Sequence, residues 1–309
     1  MSTLFRSNQA SPNQAIAAKT SRDRASYYTL TWRQKQLLLT LSPQPTTPPL
    51  PALESEQLLV DCLERSPIRL VKLTPEIGEA ALALWAEACA KASKPAYLSV
   101  PSTTALPKKQ NRLKWWLKRL VDWSAAALLM LVVGPLMLGL SVLMLMQSPG
   151  SIFFSQWRVG ERGKLFRILK FRTMVTGAEL YHHQVMGHQA GLHKCEDDPR
   201  VTPIGRWMRK YSLDELPQLI NVLRGEMSLV GPRPWALYDA VRLSPSVRQR
   251  LNALPGITGI WQVTGRSHLR DLDAVNRVDL RYLGNWSLRE DFKILLLTVP
   301  KVLSGFGAF

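Results

Sequence analysis

Residues 124–146, SAAALLMLVVGPLMLGLSVLMLM, form a run of 23 residues without a charged side chain. A helix of this length covers roughly 35 Å at 1.5 Å per residue, enough to cross the hydrocarbon core of a bilayer. A buried helix of a soluble protein is the alternative, but such helices rarely lack polar residues on every face. The run therefore predicts a membrane-inserted helix, and this helix decides the kind of fold.

Basic side chains flank the run on both sides. They are Lys108, Lys109, Arg112, Lys114, Lys118 and Arg119 before it and Arg158, Arg162, Lys164, Arg167, Lys170 and Arg172 after it. A spanning helix concentrates basic residues on its cytoplasmic side only. Pro135, which follows Gly134 at the midpoint, removes a backbone donor and favours a bend. A helix that enters, bends at Gly134-Pro135 and returns fits these facts, and a kinked spanning helix remains open.

Two regions precede the run. Residues 1–52 are rich in Ser, Thr, Gln and Pro, which predicts disorder or a linker, and no secretory signal is visible there. Residues 53–107 predict a small α/β extension with strands at Ile68–Leu73 and Ala96–Val100 and a helix at Ile77–Ala92. No chemistry is evident in this extension, so a docking, regulatory or purely structural role stays open.

The charge is strongly basic, with 40 Lys+Arg against 23 Asp+Glu and a net charge of +17. Such an excess predicts a polyanionic partner, namely nucleic acid, an anionic membrane surface or phosphorylated substrates. The basic residues crowd around the apolar run and no nucleic-acid motif appears, so we expect no nucleic-acid partner. The three cysteines are far apart and form no disulfide framework, which fits a reducing cytoplasm.

The segment Tyr211–Pro234, YSLDELPQLINVLRGEMSLVGPRP, carries the most chemical information. Apolar residues recur at helical spacing after Ser212, and Gly225 should end the helix. Asp214 and Glu215 have two interpretations. Locally, a capping box with Ser212 as N-cap and Glu215 reaching back to its amide is the simpler one. The other is a carboxylate that attacks phosphorus, or holds Mg²⁺, at a helix N-terminus that also attracts phosphate.

Two turn-rich segments supply arginines that could bind phosphate. Arg233 lies between two prolines in Gly231–Pro234, and Arg266 follows Gly265 in Pro255–Ser267. A guanidinium matches phosphate oxygens with two parallel hydrogen bonds, and the rigid flanking residues favour oriented groups over solvated ones.

Several of these motifs occur in an order that resembles the bacterial sugar transferases, also called monotopic phosphoglycosyl transferases. The matching motifs are KFRTM at 170–174, DPR at 198–200, SLDELPQ at 212–218, SLVGPRP at 228–234, PGITGIWQVTGRS at 255–267, and DLRY at 279–282 before NWS at 285–287. The resemblance covers about Lys108 to the C-terminus, roughly two-thirds of the chain.

The resemblance implies an architecture. Residues 108–309 would form a catalytic domain with a re-entrant helix at about 119–147, broken at the Gly134-Pro135 pair. Many relatives have serine where this chain has Gly134. The fold class is then helix-dominated α/β, with the membrane helix, interfacial helices that include Phe292–Phe306, and a small catalytic core. The protein would be monotopic at the cytoplasmic face of the inner membrane, in contact with lipid, and a homodimer is one candidate assembly.

The resemblance also implies a reaction. A sugar-1-phosphate would pass from a UDP-sugar to polyprenyl phosphate with release of UMP, as the priming step of exopolysaccharide or another surface glycan. Asp214 would be the nucleophile and a ligand of Mg²⁺, and Glu215 its partner in the catalytic dyad. The expected phosphate- or nucleotide-binding residues are Arg233, Arg266, Gln262, Lys170, Arg172 and Asp279. A structural ion pair is the alternative for Asp279, and interface anchoring is the alternative for Lys170 and Arg172.

Two competing functions are weighed against this one. A zinc site could use His182, His183, His188, His193 and Cys195, but their spacing fits no common zinc pattern. A non-catalytic membrane scaffold of a glycan assembly complex would leave the chemistry of Asp214 unused. Loss of UMP release in Asp214→Asn separates the enzyme from the scaffold.

Overall fold

The computed structural model describes residues 28–42, 55–103, 106–107, 111–178, 198–264 and 271–305. Its helices are Glu56–Arg65 (α1), Glu79–Lys91 (α2), Arg112–Gln147 (α3), Pro203–Lys210 (α4), Gln218–Leu223 (α5), Leu237–Ala240 (α6), Ile260–Thr264 (α7), Leu272–Gly284 (α8) and Leu288–Ser304 (α9). Its strands are Tyr28–Arg33 (β1), Gln36–Leu41 (β2), Leu70–Leu73 (β3), Ala96–Leu98 (β4), Phe153–Val159 (β5), Leu165–Phe171 (β6), Ser228–Val230 (β7) and Gly256–Thr258 (β8). Helix predominates over strand in these ranges, as predicted.

The N-terminal unit, residues 28–42 and 55–103, is a four-stranded sheet with two helices. The strand order is β1-β2-β3-β4, with β1 antiparallel to β2 and the other neighbours parallel. Helices α1 and α2 make the crossovers and pack on each other. Branched and aromatic side chains, such as Leu39, Val71 and Trp85, fill the core between sheet and helices. The predicted strands at Ile68–Leu73 and Ala96–Val100 and the helix at Ile77–Ala92 are confirmed as β3, β4 and α2.

The N-terminal unit begins earlier than the sequence predicts. Strands β1 and β2 lie within residues 1–52, so the prediction of disorder or a linker is wrong for residues 28–41. The two strands join at Gln34-Lys35, whose φ angles of 47° and 63° are both left-handed. The usual sequence signal of such a two-residue turn is Asn-Gly or Asp-Gly. Neither is present here, so the hairpin gives no recognisable turn signal.

Helix α3 contains the apolar run. It extends over 36 residues, and Asn111 caps its start by accepting a hydrogen bond from the Lys114 amide at 2.9 Å. Within the described ranges, it is the one helix both long and apolar enough to cross a membrane. It starts earlier than the predicted residue 119.

The expected break at Gly134-Pro135 is not an interruption of the helical backbone, because residues on both sides belong to α3. Proline removes one helical hydrogen bond and strains the neighbouring turn, but the bonds on either side continue the helix. Any deflection of the axis at this point is therefore a kink within one helix, not a boundary between two.

The C-terminal part of the chain comprises the described residues from 111 to 305. Both ends of α3 pack against the rest of this part. Towards its start, Trp115 and Ala126 share a core with Leu219 and Val222 of α5. Towards its end, Met144 shares a core with neighbours that include Phe171 of β6 and Met208 of α4. Most of the remaining surface of α3 is apolar and exposed.

A buried ion cluster joins the first turns of α3 to the C-terminal part. Lys118 Nζ lies 2.7 Å from Asp291 Oδ2 and donates to the Val230 carbonyl at 3.1 Å. Asp122 accepts from the Ser228 hydroxyl at 2.8 Å and from Arg119 at 3.2 Å. These charges are almost fully buried yet paired, which is the condition for burying them at tolerable cost.

Helix α9 covers the predicted segment Phe292–Phe306 as far as it is described, but begins four residues before it. Four of its five exposed large apolar side chains recur every three or four residues and so form one stripe, namely Phe292, Leu296, Val299 and Leu303; Leu297 lies beside it. The expectation that this helix lies at the membrane interface stays a prediction.

The N-terminal unit and the C-terminal part share one core. Val159, Leu165, Trp235 and Leu237 of the C-terminal part belong to the same buried cluster as Leu98 and the residues around it. Strand β4 also pairs with the C-terminal part, because Tyr97 forms an antiparallel bridge with Lys164. The extension is therefore fixed to the part of the chain that carries the predicted chemistry.

Candidate active site

Asp214 and Glu215 lie in the 3-10 turn Leu213–Glu215 between α4 and α5. Ser212 has a left-handed φ of 54° and its side chain makes no capping hydrogen bond. The capping-box interpretation is therefore wrong. It fails because α5 begins at Gln218, beyond the carboxylate pair, and because Glu215 is bonded to cations from other elements.

Two cations hold the Glu215 carboxylate. Lys170 Nζ, from β6, lies 2.7 Å from Glu215 Oε1, and Arg233 donates to the same oxygen at 3.0 Å. Lys170 Nζ also lies 4.0 Å from Asp214 Oδ2. Asp214 is 9% exposed. The structure therefore brings together four of the predicted site residues.

Asp214 and Glu215 lie in different electrostatic environments. Burial raises the pKa of Asp214, and the neighbouring Glu215 raises it further, while Lys170, Arg209 and Arg233 pull it down. Burial lowers the pKa of Lys170 against the attraction of Glu215 and Asp214. The charge of Glu215 raises the pKa of Arg233. Glu215 thus has the closer ion pairs, with Lys170 at 2.7 Å and Arg233 at 3.0 Å, whereas Asp214 is a buried carboxylate 4.0 Å from Lys170.

The position of Arg233 is set by contacts to its backbone carbonyl. Arg250 donates to the Arg233 carbonyl at 2.6 Å, and its guanidinium lies 4.9 Å above the ring of Trp235. Arg250 is held in turn by Asp279, 2.8 Å from its Nε. The two prolines of Gly231–Pro234 and this buried chain of contacts fix the loop from which the Arg233 side chain extends.

Two further cations near the site were not predicted. Arg158, from β5, lines one pocket together with Lys170 and Arg233. Arg209, from α4, donates to the Thr173 hydroxyl at 2.8 Å and acts electrostatically on Asp214. Arg158 and Lys170 lie on the same face of the hairpin, but this follows from the register between β5 and β6, which the sequence alone does not give. No sequence pattern singled out Arg209.

Residues 113–305 match the family of bacterial sugar transferases, and this match covers more than half of the chain. The chain belongs to that family. The galactosyl transferase CpsE of Streptococcus agalactiae is 43% identical over 197 residues, which are 62% of this chain and 43% of that protein. The exopolysaccharide production protein ExoY of Sinorhizobium fredii is 39% identical over 202 residues, 62% of this chain and 88% of that protein.

A third relative is the UDP-glucose:undecaprenyl-phosphate glucose-1-phosphate transferase of Caulobacter vibrioides. It is 42% identical over 200 residues, which are 62% of this chain and 72% of that protein. The chain thus spans less than half the length of CpsE and most of the length of ExoY. The match leaves out the N-terminal unit, which ends ten residues before residue 113.

The other predicted site residues lie elsewhere or outside the described ranges. Arg172 caps the end of α3, where its guanidinium donates to the carbonyls of Ser148 and Ser151, each at 2.7 Å. Asp279 is fully buried in its ion pair with Arg250, which is the alternative the sequence left open. Neither contacts Asp214 or Glu215.

Gln262 and Arg266 belong to the second turn-rich segment. Gln262 is buried and donates to the carbonyl of Ile257, a residue that lines the pocket with Arg233. Its amide oxygen has no hydrogen-bond partner in the described part of the chain. Arg266 lies outside the described residues.

The carboxylates of the site suit Mg²⁺, which binds with few protein ligands, better than a metal that needs several side chains around it. Among the residues that the structure describes, no three His, Cys, Asp or Glu side chains come together. Mg²⁺ commonly uses one or two carboxylates together with substrate phosphates and waters. Asp214, a buried carboxylate whose nearest cation is 4.0 Å away, fits that requirement. The histidine cluster of the zinc interpretation lies outside the described residues.

Proposed function

We propose that this chain transfers a sugar-1-phosphate from a UDP-sugar to polyprenyl phosphate and releases UMP. The observation that carries the proposal is the Asp214-Glu215 pair, surrounded by Lys170, Arg158, Arg209 and Arg233. Such a site combines a nucleophilic oxygen with cations that can stabilise phosphate charge. The names of relatives, such as the UDP-glucose:undecaprenyl-phosphate glucose-1-phosphate transferase of Caulobacter vibrioides, support the same reaction.

The first half-reaction forms a covalent intermediate on Asp214. An Asp214 carboxylate oxygen attacks the β-phosphorus of the UDP-sugar. The bond between that phosphorus and the oxygen that bridges it to the α-phosphate breaks, and UMP leaves with the electron pair. A sugar phosphate then remains on Asp214 as an acyl phosphate. Glu215, already paired with Lys170 and Arg233, keeps these two cations in place for the phosphate oxygens.

The second half-reaction transfers the group to lipid. A phosphate oxygen of polyprenyl phosphate attacks the same phosphorus, the bond to the Asp214 oxygen breaks, and the carboxylate is regenerated. The cations that neutralised the first transition state also stabilise the second, since both place negative charge on the same phosphoryl oxygens. The product is a polyprenyl diphosphate sugar, which would prime exopolysaccharide or another surface glycan.

Mg²⁺ is part of the proposal. Asp214 would hold the ion together with diphosphate oxygens of the donor, and the ion would neutralise phosphate charge. Arg233 and Lys170 carry the rest of that role as fixed cations. Removing Mg²⁺ with EDTA is expected to abolish UMP release, and adding Mg²⁺ back is expected to restore it.

The proposed location is the cytoplasmic face of the inner membrane, with α3 inserted from that face only. Both ends of α3 pack on the same C-terminal part, which supports a helix that enters and leaves on one side. The exposed apolar stripe of α9 and the exposed Trp207 of α4 add surface suited to a bilayer interface. A homodimer stays a prediction.

The decisive experiment is a UMP-release assay on the full chain in detergent or nanodiscs, with polyprenyl phosphate, Mg²⁺ and a panel of UDP-sugars. Wild type is expected to turn over at least one donor, and without acceptor it should release a single equivalent of UMP and retain labelled sugar phosphate on Asp214. Asp214→Asn should lose both signals. Glu64→Gln, an exposed carboxylate on α1, is the control that should keep them.

Retained UMP release in Asp214→Asn would contradict the proposed nucleophile. No release from wild type with any donor would favour the alternative of a non-catalytic membrane scaffold.

A further inference from the structure

The hairpin β5–β6 has two faces with different neighbours. Lys170 pairs with Phe154, and alternation along β5 places Phe154 and Arg158 on the same face. Both cations on this face line the substrate pocket. Trp157 pairs with Arg167 and lies on the opposite face. The hairpin therefore presents site cations on one side and an aromatic–cation pair on the other.

The opposite face contacts the N-terminal unit. Glu87 of α2 accepts a hydrogen bond from the Trp157 indole at 3.3 Å and forms an ion pair with Arg167 through the same oxygen. The Arg167 guanidinium also stacks over the Trp157 ring at 5.0 Å. One carboxylate thus joins a residue from each strand of the hairpin.

The turn of the hairpin is fixed to the same unit. Gly163 lies against the Leu98 carbonyl so closely that a Cβ atom there would approach it to 2.2 Å. The neighbouring Lys164 pairs with Tyr97 of β4. Both the face and the turn of the hairpin therefore depend on the N-terminal unit.

A two-stranded hairpin by itself is marginally stable in water. Here Lys170 must stay within hydrogen-bonding distance of Glu215, which its Nζ approaches to 2.7 Å. Loss of support on the outer face would let both strands shift, and displacements of about 1 Å at a catalytic site are costly.

We propose that Glu87 is a positioning residue, through which the N-terminal unit holds the β5–β6 hairpin and thereby sets the places of Lys170 and Arg158 in the substrate site. The proposal gives a role to the part of the chain that lies outside the family match, and it rests on the proposed function for its kinetic consequences.

The test compares two charge removals in the N-terminal unit of the full chain. Glu87→Gln removes the charge but keeps an oxygen acceptor for Trp157, and Glu87→Ala removes both. Glu64→Gln is the control, because Glu64 is an exposed carboxylate of the same unit, on α1. The measurements are kcat and KM for the UDP-sugar in the UMP-release assay.

The KM for the donor is expected to rise about fivefold in Glu87→Gln, the scale that a partly exposed ion pair supports, and further in Glu87→Ala. The control should keep the wild-type KM. A merely structural role for Glu87 would lower the fraction of active enzyme instead, so kcat would fall while KM stayed unchanged. That result, or equal KM values in all variants, would overturn the proposal.

Hydrogen exchange supplies a readout that does not need activity. Amides of residues 153–171 should exchange faster in Glu87→Ala than in wild type and in Glu64→Gln, while strands β2 and β3 stay protected. Unchanged exchange in the hairpin would overturn the inference. If wild type released no UMP, the proposed function would fail, and faster hairpin exchange would still support Glu87 as the residue that holds the hairpin.

Discussion

Lys170 and Arg172 illustrate how far two neighbouring cations can differ in role. The resemblance assigned both to phosphate. Lys170 lies 2.7 Å from Glu215, whereas Arg172 binds the carbonyls at the end of α3. Strand β6 ends at Phe171, between them, so the alternation that would have placed both on one face stops there.

We therefore expect the two residues to respond differently to substitution. Lys170→Met should lower kcat/KM for UMP release by about 100-fold or more, the scale for losing a donor that stabilises transition-state charge. Arg172→Met should leave kcat/KM near wild type and lower stability by roughly 1 kcal/mol, since the partly exposed carbonyls at the end of α3 lose a charged donor. UMP-release rates and thermal unfolding in detergent measure the two effects. The opposite pattern would contradict these assignments.

Asp239 is a buried carboxyl beside the site that the proposed mechanism does not use. Burial raises its pKa from 3.8 to about 6, and the attraction of Arg158 and Arg242 only partly opposes this. The folded protein therefore holds the proton more tightly than the unfolded chain does. Its contribution to stability is complete below about pH 4 and is lost as the pH rises through about 6.

Asp239→Asn should remove this dependence. The difference between 3.8 and about 6 corresponds to roughly 3 kcal/mol, so the variant should gain up to that amount relative to wild type between pH 4 and pH 7. Thermal unfolding of both proteins at several pH values measures it, with Asp273→Asn as the control. A stability difference that is flat with pH would refute this assignment for Asp239.

At the scale of single residues, the sequence indicated the Asp214-Glu215 pair but not the ion pairs that its members form. Asp214, Glu215, Lys170 and Arg233 were all named in advance, and they meet as one cluster. The partners of Glu215 come from positions 45 residues before and 18 residues after it, a proximity that local spacing does not contain. A local pattern therefore made a helix cap the simpler reading of Glu215.

At the scale of elements, helix α3 carries the main topological prediction. Leu113 and Met146, near its two ends, are 81% and 79% exposed. If α3 enters and leaves on one side, single cysteines placed at these two positions in a cysteine-free chain should both react with a membrane-impermeant maleimide from the cytoplasmic side of oriented vesicles. Reaction of one position only from the other side would identify a spanning helix and contradict the proposed topology.

Elements with strong periodicity were predicted and those with unusual turns were not. The apolar run, the helix at Ile77–Ala92 and the strands at Ile68–Leu73 and Ala96–Val100 follow directly from side-chain patterns. The β1–β2 hairpin was missed because its turn uses Gln34 and Lys35 in left-handed conformations. Pro135 lies inside one continuous helical segment, and the bend expected there stays a prediction.

At the scale of the whole molecule, the N-terminal unit and the C-terminal part depend on a shared core. Removing residues 1–103 would expose Val159, Leu165, Trp235 and Leu237, all buried in the intact chain. We expect the truncated chain to aggregate or unfold in detergents that keep the full chain folded, since exposing this apolar surface costs several kcal/mol. Size-exclusion profiles and thermal unfolding would show it. A truncated chain with wild-type stability would mean that the shared core is not required.

The buried ion cluster at the start of α3 has a consequence for the order of biosynthesis. Lys118 pairs with Asp291, which is made 173 residues later. At about 5–20 residues per second, the ribosome needs roughly 10–35 s to supply that partner. Until then Lys118 has Asp122, 3.7 Å away on the same helix, as its acidic partner and lacks the closer contact at 2.7 Å. The ion cluster at the start of α3 therefore reaches its full set of contacts only after the residues of the candidate active site have been synthesised.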